Sequence, residues 1–255
     1  MFDAPGDEVD RPPTARCGEC PHRVDRLAKG RCKPGDTCVR AMSGRQIERF
    51  FRENPDLADD YRGDAFWERR AIAARYLSQR RLHELRDDPD EVVRRVLAYR
   101  LPADELVHMI KDPDREVRIT VADRIAREHL EQLAGDSDYM VRQYVAGRLP
   151  PGRLFRMILD EDREVRKTVA RRLPAESLMI MSRDSDPEVR RVVAERVDAD
   201  AVVLLLRDTD WRVRLAAVMR APAASLAALR DDEDPDVRAA VEQRWREVRS
   251  GETFE

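Results

Sequence analysis

Asp88-Pro-Asp-Glu-Val-Val-Arg-Arg-Val-Leu-Ala-Tyr-Arg-Leu101 returns as Asp112-Pro-Asp-Arg-Glu-Val-Arg-Ile-Thr-Val-Ala-Asp-Arg-Ile125, an offset of 24 residues. The offset holds to the end of the chain. One position reads Val93, Val117, Val141, Val165, Val189, Val213 and Val237, and the next reads Arg94, Arg118, Arg142, Arg166, Arg190, Arg214 and Arg238. A weaker copy lies upstream, with Arg70, Ala73, Ala74 and Leu77 at the same register, so the array is expected to begin near Asp64. A fixed period of this length is the signature of a repeat architecture.

Each unit has two parts. Val93, Leu97 and Leu101 recur at i, i+4 and i+8, one face of an α-helix, and Asp90 and Glu91 suit its N-terminal dipole end. Leu-Pro at 101–102, 149–150 and 173–174 stops that helix, because proline cannot continue one and suits the first turn of the next. The second part carries apolar pairs three apart, such as Leu106/Met109, Leu154/Met157 and Leu178/Met181, predicting a short helical segment, α or 3₁₀. Recurrent aspartates at 88, 112, 136, 160, 184, 208 and 232 mark the turn into the next unit. A unit this short cannot close a core alone, so successive units must stack, with helices roughly 9 Å apart.

Strand chemistry is missing. Leucine-rich repeats have a similar period, but their Leu-x-Leu strand has no counterpart here, and HEAT-type units share the Val-Arg signature but are longer. With its period, Val-Arg pair and Leu-Pro step, the segment from Asp64 to about Trp245 resembles the leucine-rich repeat variant (LRV) family. The resemblance implies an all-α, right-handed superhelical solenoid alternating an α-helix with a 3₁₀ helix.

A second arginine recurs at Arg100, Arg124, Arg148, Arg172, Arg196, Arg220 and Arg244. In the last turn, it can meet helix-end carbonyls while its stem packs on apolar neighbours. The Arg94-type residue, about 100° around the helix from the valine, is expected to bond aspartates or carbonyls as an inter-repeat ladder. The other reading makes these arginines a phosphate-binding stripe. With 48 Lys+Arg against 51 Asp+Glu and a formal net charge of −3, acid and base cancel the attraction that phosphate binding needs. Nucleic acid is therefore not the expected partner. Of the aromatics, Phe50, Phe51, Tyr61, Phe66, Trp67 and Tyr76 cluster before the first clear repeat, where they are expected to fill a junction.

Cys17, Cys20, Cys32 and Cys38, spaced C-x₂-C-x₁₁-C-x₅-C, are the only cysteines of the chain. Confined to a stretch poor in apolar residues, they point to a metal that organises the segment. Four thiolates suit tetrahedral zinc, the commoner use of such short sequences, or an iron–sulfur cluster; spacing alone does not choose. Residues 16–49 carry nine basic against four acidic side chains, a net +5 that suits an anionic centre of either kind. The family resemblance chooses the cluster: LRV proteins of this kind look like a repeat array preceded by a small domain holding a [4Fe–4S] cluster, whose four ligands map onto Cys17, Cys20, Cys32 and Cys38. His22 is expected to be a bystander. Ser43-Gly-Arg-Gln46 reads as a capping box opening a helix through Glu53.

The expected organisation is a tail at 1–14, a four-cysteine domain with its following helix at 15–62, the repeats at 63–249 and a tail at 250–255. No phosphate loop, nucleophile elbow or dinucleotide fingerprint occurs, and neither a membrane-length apolar run nor a secretory leader is evident. The expectation is a cytoplasmic, non-enzymatic iron–sulfur repeat protein with a protein partner, no small-molecule substrate, and a cluster serving electron transfer or structure. The alternative is a zinc-stabilised, HEAT-like scaffold that binds nucleic acid.

Overall fold

The computed structural model describes residues 17–251. The tail expected at 1–14 and most of the one expected at 250–255 lie outside the described residues. Among those described there is no strand, only an isolated antiparallel bridge between Lys33 and Thr37. The chain divides into two compact units, Met1–Ala126 and Arg127–Glu255.

In the first unit the cysteine segment leads into a helix, Gly44–Glu53, a 3₁₀ segment, Pro55–Tyr61, and the first repeats, with helices Trp67–Ala74, Glu91–Arg100 and Arg115–Arg124. In the second, helices Tyr139–Arg148, Arg163–Arg172, Pro187–Ala194, Trp211–Val218 and Pro235–Ser250 alternate with 3₁₀ segments such as Pro151–Met157 and Ala175–Met181. The fold is an all-α repeat solenoid. The short segments are 3₁₀ in every repeat but the first, where an α-turn at Gln79–Leu82 precedes His83–Leu85.

From Glu91–Arg100 onward each repeat helix starts on an aspartate cap, whereas Trp67–Ala74 follows Phe66 and has none. Asp90, Asp114, Asp138, Asp162, Asp186, Asp210 and Asp234 are extended, and each side chain accepts a backbone N–H of the first turn. The valine register is fully buried from Val93 to Val237, as are Leu106, Leu130, Leu154, Leu178 and Leu226 of the short segments. Burying such a side chain contributes about 1.5–3 kcal/mol, and here each one is shared between neighbouring repeats.

Two sets of arginine bonds run between repeats, in opposite directions. Arg94 Nε and Nη2 donate to both carboxylate oxygens of Asp112, at 2.8 and 3.0 Å, while Nη1 donates to Asp88 O at 2.8 Å. Arg70–Asp88, Arg142–Asp160, Arg166–Asp184, Arg190–Asp208 and Arg214–Asp232 repeat the pairing. The receiving aspartate also accepts a backbone N–H two residues on, as Asp112 does from Asp114 at 2.9 Å. The Arg100-type residues reach back: Arg100 Nη1 donates to the carbonyls of Ala74 and Leu77 at 2.6 Å, and Arg172 Nη1 to those of Ala146 and Leu149 at 2.7 Å. Thus one guanidinium ties a helix to the next turn, and the other ties it to the carbonyl end of the previous helix.

Candidate metal centre

The four cysteines sit on loops closed by local turns. Cys20 N–H donates to Cys17 O at 3.3 Å, and the chain then makes a single π-turn, Arg23–Leu27. Gly30, at φ 70°, and Gly35, at φ 79°, supply the left-handed residues of the next two bends. Lys33-Pro34-Gly35-Asp36 has proline second and left-handed glycine third, the chemistry of a type II turn, and Asp36 N–H donates to Lys33 O at 3.1 Å. This reversal brings Cys38 back past Cys32. Cys38 N–H donates to Gln46 O at 3.1 Å, fastening the loop to the helix Gly44–Glu53.

Cys32 and Cys38 are buried, and Cys17 and Cys20 are half-buried. Burial, and then the neighbouring Cys38, Cys20 and Cys17, push the Cys32 thiol up to about 11. Burial also raises Cys38, offset by the N–H groups of Arg40 and Ala41, which donate to its sulfur. Among the described residues no three His, Cys, Asp or Glu side chains stand at the spacing that holds a single metal ion.

Several basic groups of the segment are engaged: Arg26 and Lys29 pair with Asp25, Arg49 pairs with Asp36, and Arg31 donates to Glu53 O. His22 is built in rather than idle. Its Nε2 shares a hydrogen bond of 2.6 Å with the Tyr61 hydroxyl, its ring lies 5.5 Å from that of Phe50, and burial, then Arg26, lowers its pKa. Phe50, Phe51, Tyr61 and Tyr76 pack ring against ring, whereas Phe66 and Trp67 form a separate pair, with Trp67 at the surface. Asn54 is missing from the sequence reading. Fully buried, it donates to Phe50 O at 2.9 Å and Arg31 O at 2.8 Å, joining the helix end to the residue before Cys32. In sequence, Asn-Pro announces only a helix stop. Ser43 does precede the helix Gly44–Glu53, but its side chain makes no capping bond.

A stack of α/3₁₀ units behind a segment that carries all four cysteines defines a helical repeat protein with a cysteine-rich N-terminal segment. The family model "LRV protein FeS4 cluster" matches residues 12–60, and "Leucine rich repeat variant" matches 115–138 and 163–186. A solved structure described as a leucine-rich repeat variant with a novel repetitive protein structural motif is 57% identical, covering 91% of this chain and 99% of its own, with a TM-score of 0.88. The chain belongs to the leucine-rich repeat variant family, with an N-terminal FeS4-cluster domain. A second relative is described as an uncharacterized 27.7 kDa protein in the nifB 3′ region of Rhodobacter capsulatus, 42% identical over 87 residues. That match covers 34% of this chain and 35% of the relative. No described helix is long and apolar enough to cross a membrane.

Proposed function

We propose that Cys17, Cys20, Cys32 and Cys38 ligate a [4Fe–4S] cluster and that the repeats present a surface to a protein partner, without catalysis. The carrying observation is that the FeS4-cluster family model matches residues 12–60, the stretch that contains all four cysteines on loops closed by local turns, with Cys32 and Cys38 buried. The two backbone N–H groups on Cys38 stabilise a thiolate, as hydrogen bonds to cluster sulfurs do.

A cluster bound there would supply one-electron chemistry. The protein's own part is to exclude water from Cys32 and Cys38 and to hold the loops through Asn54 and the His22–Tyr61 bond. Four protein thiolates leave no iron position open to a substrate, which supports a redox or structural role over an enzymatic one. Nothing favours the nucleic-acid reading, since the bonds of the ladder arginines go to carboxylates and carbonyls.

The test is iron, sulfide and zinc analysis of anaerobically prepared protein beside Cys32→Ser and Cys38→Ser. Near-stoichiometric iron and sulfide, a visible thiolate-to-iron band, and loss of both in each variant are expected. Stoichiometric zinc without sulfide overturns the proposal.

A further inference from the structure

The short segments of the second unit turn apolar side chains outward as well as inward. In Ala175–Met181 and Ala201–Arg207 the core positions are taken by Leu178, Met181, Val202 and Leu205, all buried. Ile180 and Leu204, 24 residues apart and so at one register of adjacent turns, are nevertheless 57% and 71% exposed. In the first unit that register reads Glu84 and His108. The outward face of the short segments is thus polar in the first unit and aliphatic in these two turns of the second.

Leu204 stands in a groove of about 510 Å³ between two successive turns, bordered by Arg183 and Arg207. Those two arginines share one register, and among the described residues neither guanidinium meets a carboxylate or a carbonyl. The carboxylates that line the groove are already taken: Asp184 by Arg166, at 2.7 and 3.0 Å, and Asp208 by Arg190, at 2.7 and 2.8 Å. Two positive charges without local compensation therefore flank an exposed leucine. The corresponding groove of the first unit, about 420 Å³, has Asp87 and Lys111 at the arginine positions and His108 at that of Leu204. Repeat geometry makes the groove, and the residues placed in it make the second one apolar and cationic. Solubility accounts for exposed arginines, but not for an aliphatic side chain held out between them.

We propose that this groove docks an acidic segment of a partner protein, whose carboxylates meet Arg183 and Arg207 while an apolar side chain covers Leu204. A guanidinium fork takes a carboxylate through two parallel bonds, as Arg190 takes Asp208 beside it. Withdrawing Leu204 from water supplies the apolar part of the contact, and the uncompensated charge selects acidic over basic segments. The proposal rests on reading the repeats as a protein-binding surface and is independent of what the cysteines hold.

The probe is a random-peptide library displayed on phage and selected on the immobilised full chain, the enriched sequences then being synthesised and titrated calorimetrically at low ionic strength. Expected are sequences with two acidic residues and an aliphatic or aromatic one within about five residues, a length that spans turns roughly 9 Å apart. Their binding should weaken at least about tenfold in Leu204→Glu, Arg183→Glu and Arg207→Glu. It should change less than about twofold in Arg171→Glu, which reverses another exposed arginine, on the helix Arg163–Arg172. Thermal melts of all four variants should match the parent, since each replaced side chain is exposed. Enrichment of neutral or basic sequences, or binding indifferent to Leu204→Glu, overturns the proposal while leaving the repeats a protein-binding surface. No enrichment at all overturns both. A dimer in sedimentation that Leu204→Glu dissolves overturns it in favour of a second copy, and binding to phosphatidylglycerol vesicles that Leu204→Glu abolishes overturns it in favour of a membrane surface. Cluster content of the same preparations tests the cysteine reading separately.

Discussion

Arg190 and Asp208, 18 residues apart, are joined by two parallel bonds, Nε to Oδ2 at 2.7 Å and Nη2 to Oδ1 at 2.8 Å. Arg190 also donates to Asp184 O at 2.8 Å, and Asp208 accepts the Asp210 N–H at 2.9 Å. One ion pair therefore fastens two successive turns. Both side chains are largely withdrawn from water, 13% and 7% exposed. Removing one partner strands the other, so Arg190→Ala and Asp208→Ala should each cost about 3 kcal/mol in urea unfolding. The double variant should cost clearly less than their sum. Simple additivity would show that the pair is not coupled.

The aspartate caps can be weighed against the serine that does not cap. Asp186 accepts Glu188 N–H at 2.8 Å, whereas the Ser43 side chain accepts nothing at its helix start. Asp186→Ala should lower stability by about 1 kcal/mol and Ser43→Ala by only about a few tenths. Equal losses would remove the cap bond as the explanation.

Leu154 is fully buried in its 3₁₀ segment, while Leu159, five residues on, is 88% exposed. Leu154→Ala should cost about 2–5 kcal/mol and Leu159→Ala under about 0.5 kcal/mol. Comparable midpoints for the two variants would contradict the packing described.

Asp210 responds to acid in a defined direction. Arg212 beside it holds its carboxyl down at about 2. A carboxylate depressed in the folded state contributes its stability in full above the unfolded value of about 4. That contribution fades as pH falls through about 2. Carboxyl chemical shifts should place the Asp210 midpoint below those of exposed aspartates, and Asp210→Asn should flatten the acid limb of the stability curve. A midpoint near 4 would show that the Arg212 contact does not persist in solution.

Metal loading should also fall as pH falls, but nearer neutrality. With Cys32 pushed up to about 11 and Cys38 raised as well, the metal-free protein holds thiols at neutrality, and ligation must release their protons. Anaerobic reconstitution with ferrous iron and sulfide should go further at pH 8 than at pH 6, read from the visible band. A yield independent of pH would mean that these thiols are not the ligands taking up iron.

The sequence was most informative where structure is local and periodic. Asp186 and Val189 act through the helix on which they stand, so a fixed register reveals both cap and core. The arginine rows were legible as a ladder, with carboxylate and carbonyl both open as partners. The structure uses both, on opposite sides of each helix. The start of the helix Gly44–Glu53 shows where such reading stops. Ser43 and Gln46 have the spacing of a capping box, yet the bonds there are long-range: Gln46 O receives Cys38 N–H, and the Glu68 side chain lies where a side chain at Gly44 would stand.

The cysteine spacing alone left zinc and an iron–sulfur cluster both open, because a list of thiols carries no distances. Their mutual approach depends on Gly30 and Gly35 turning the loop and on Asn54 pinning it to a helix end more than twenty residues away. His22 acquires its role only through Tyr61, 39 residues on. Sequence by itself determined the period, the helices, their caps and the identity of the ladder residues, because each follows from neighbours within a few turns. Only the tertiary structure decided which aspartate meets which arginine, which thiols are buried and how Asn54 and Tyr61 hold the cysteine loops, because those depend on how distant segments pack.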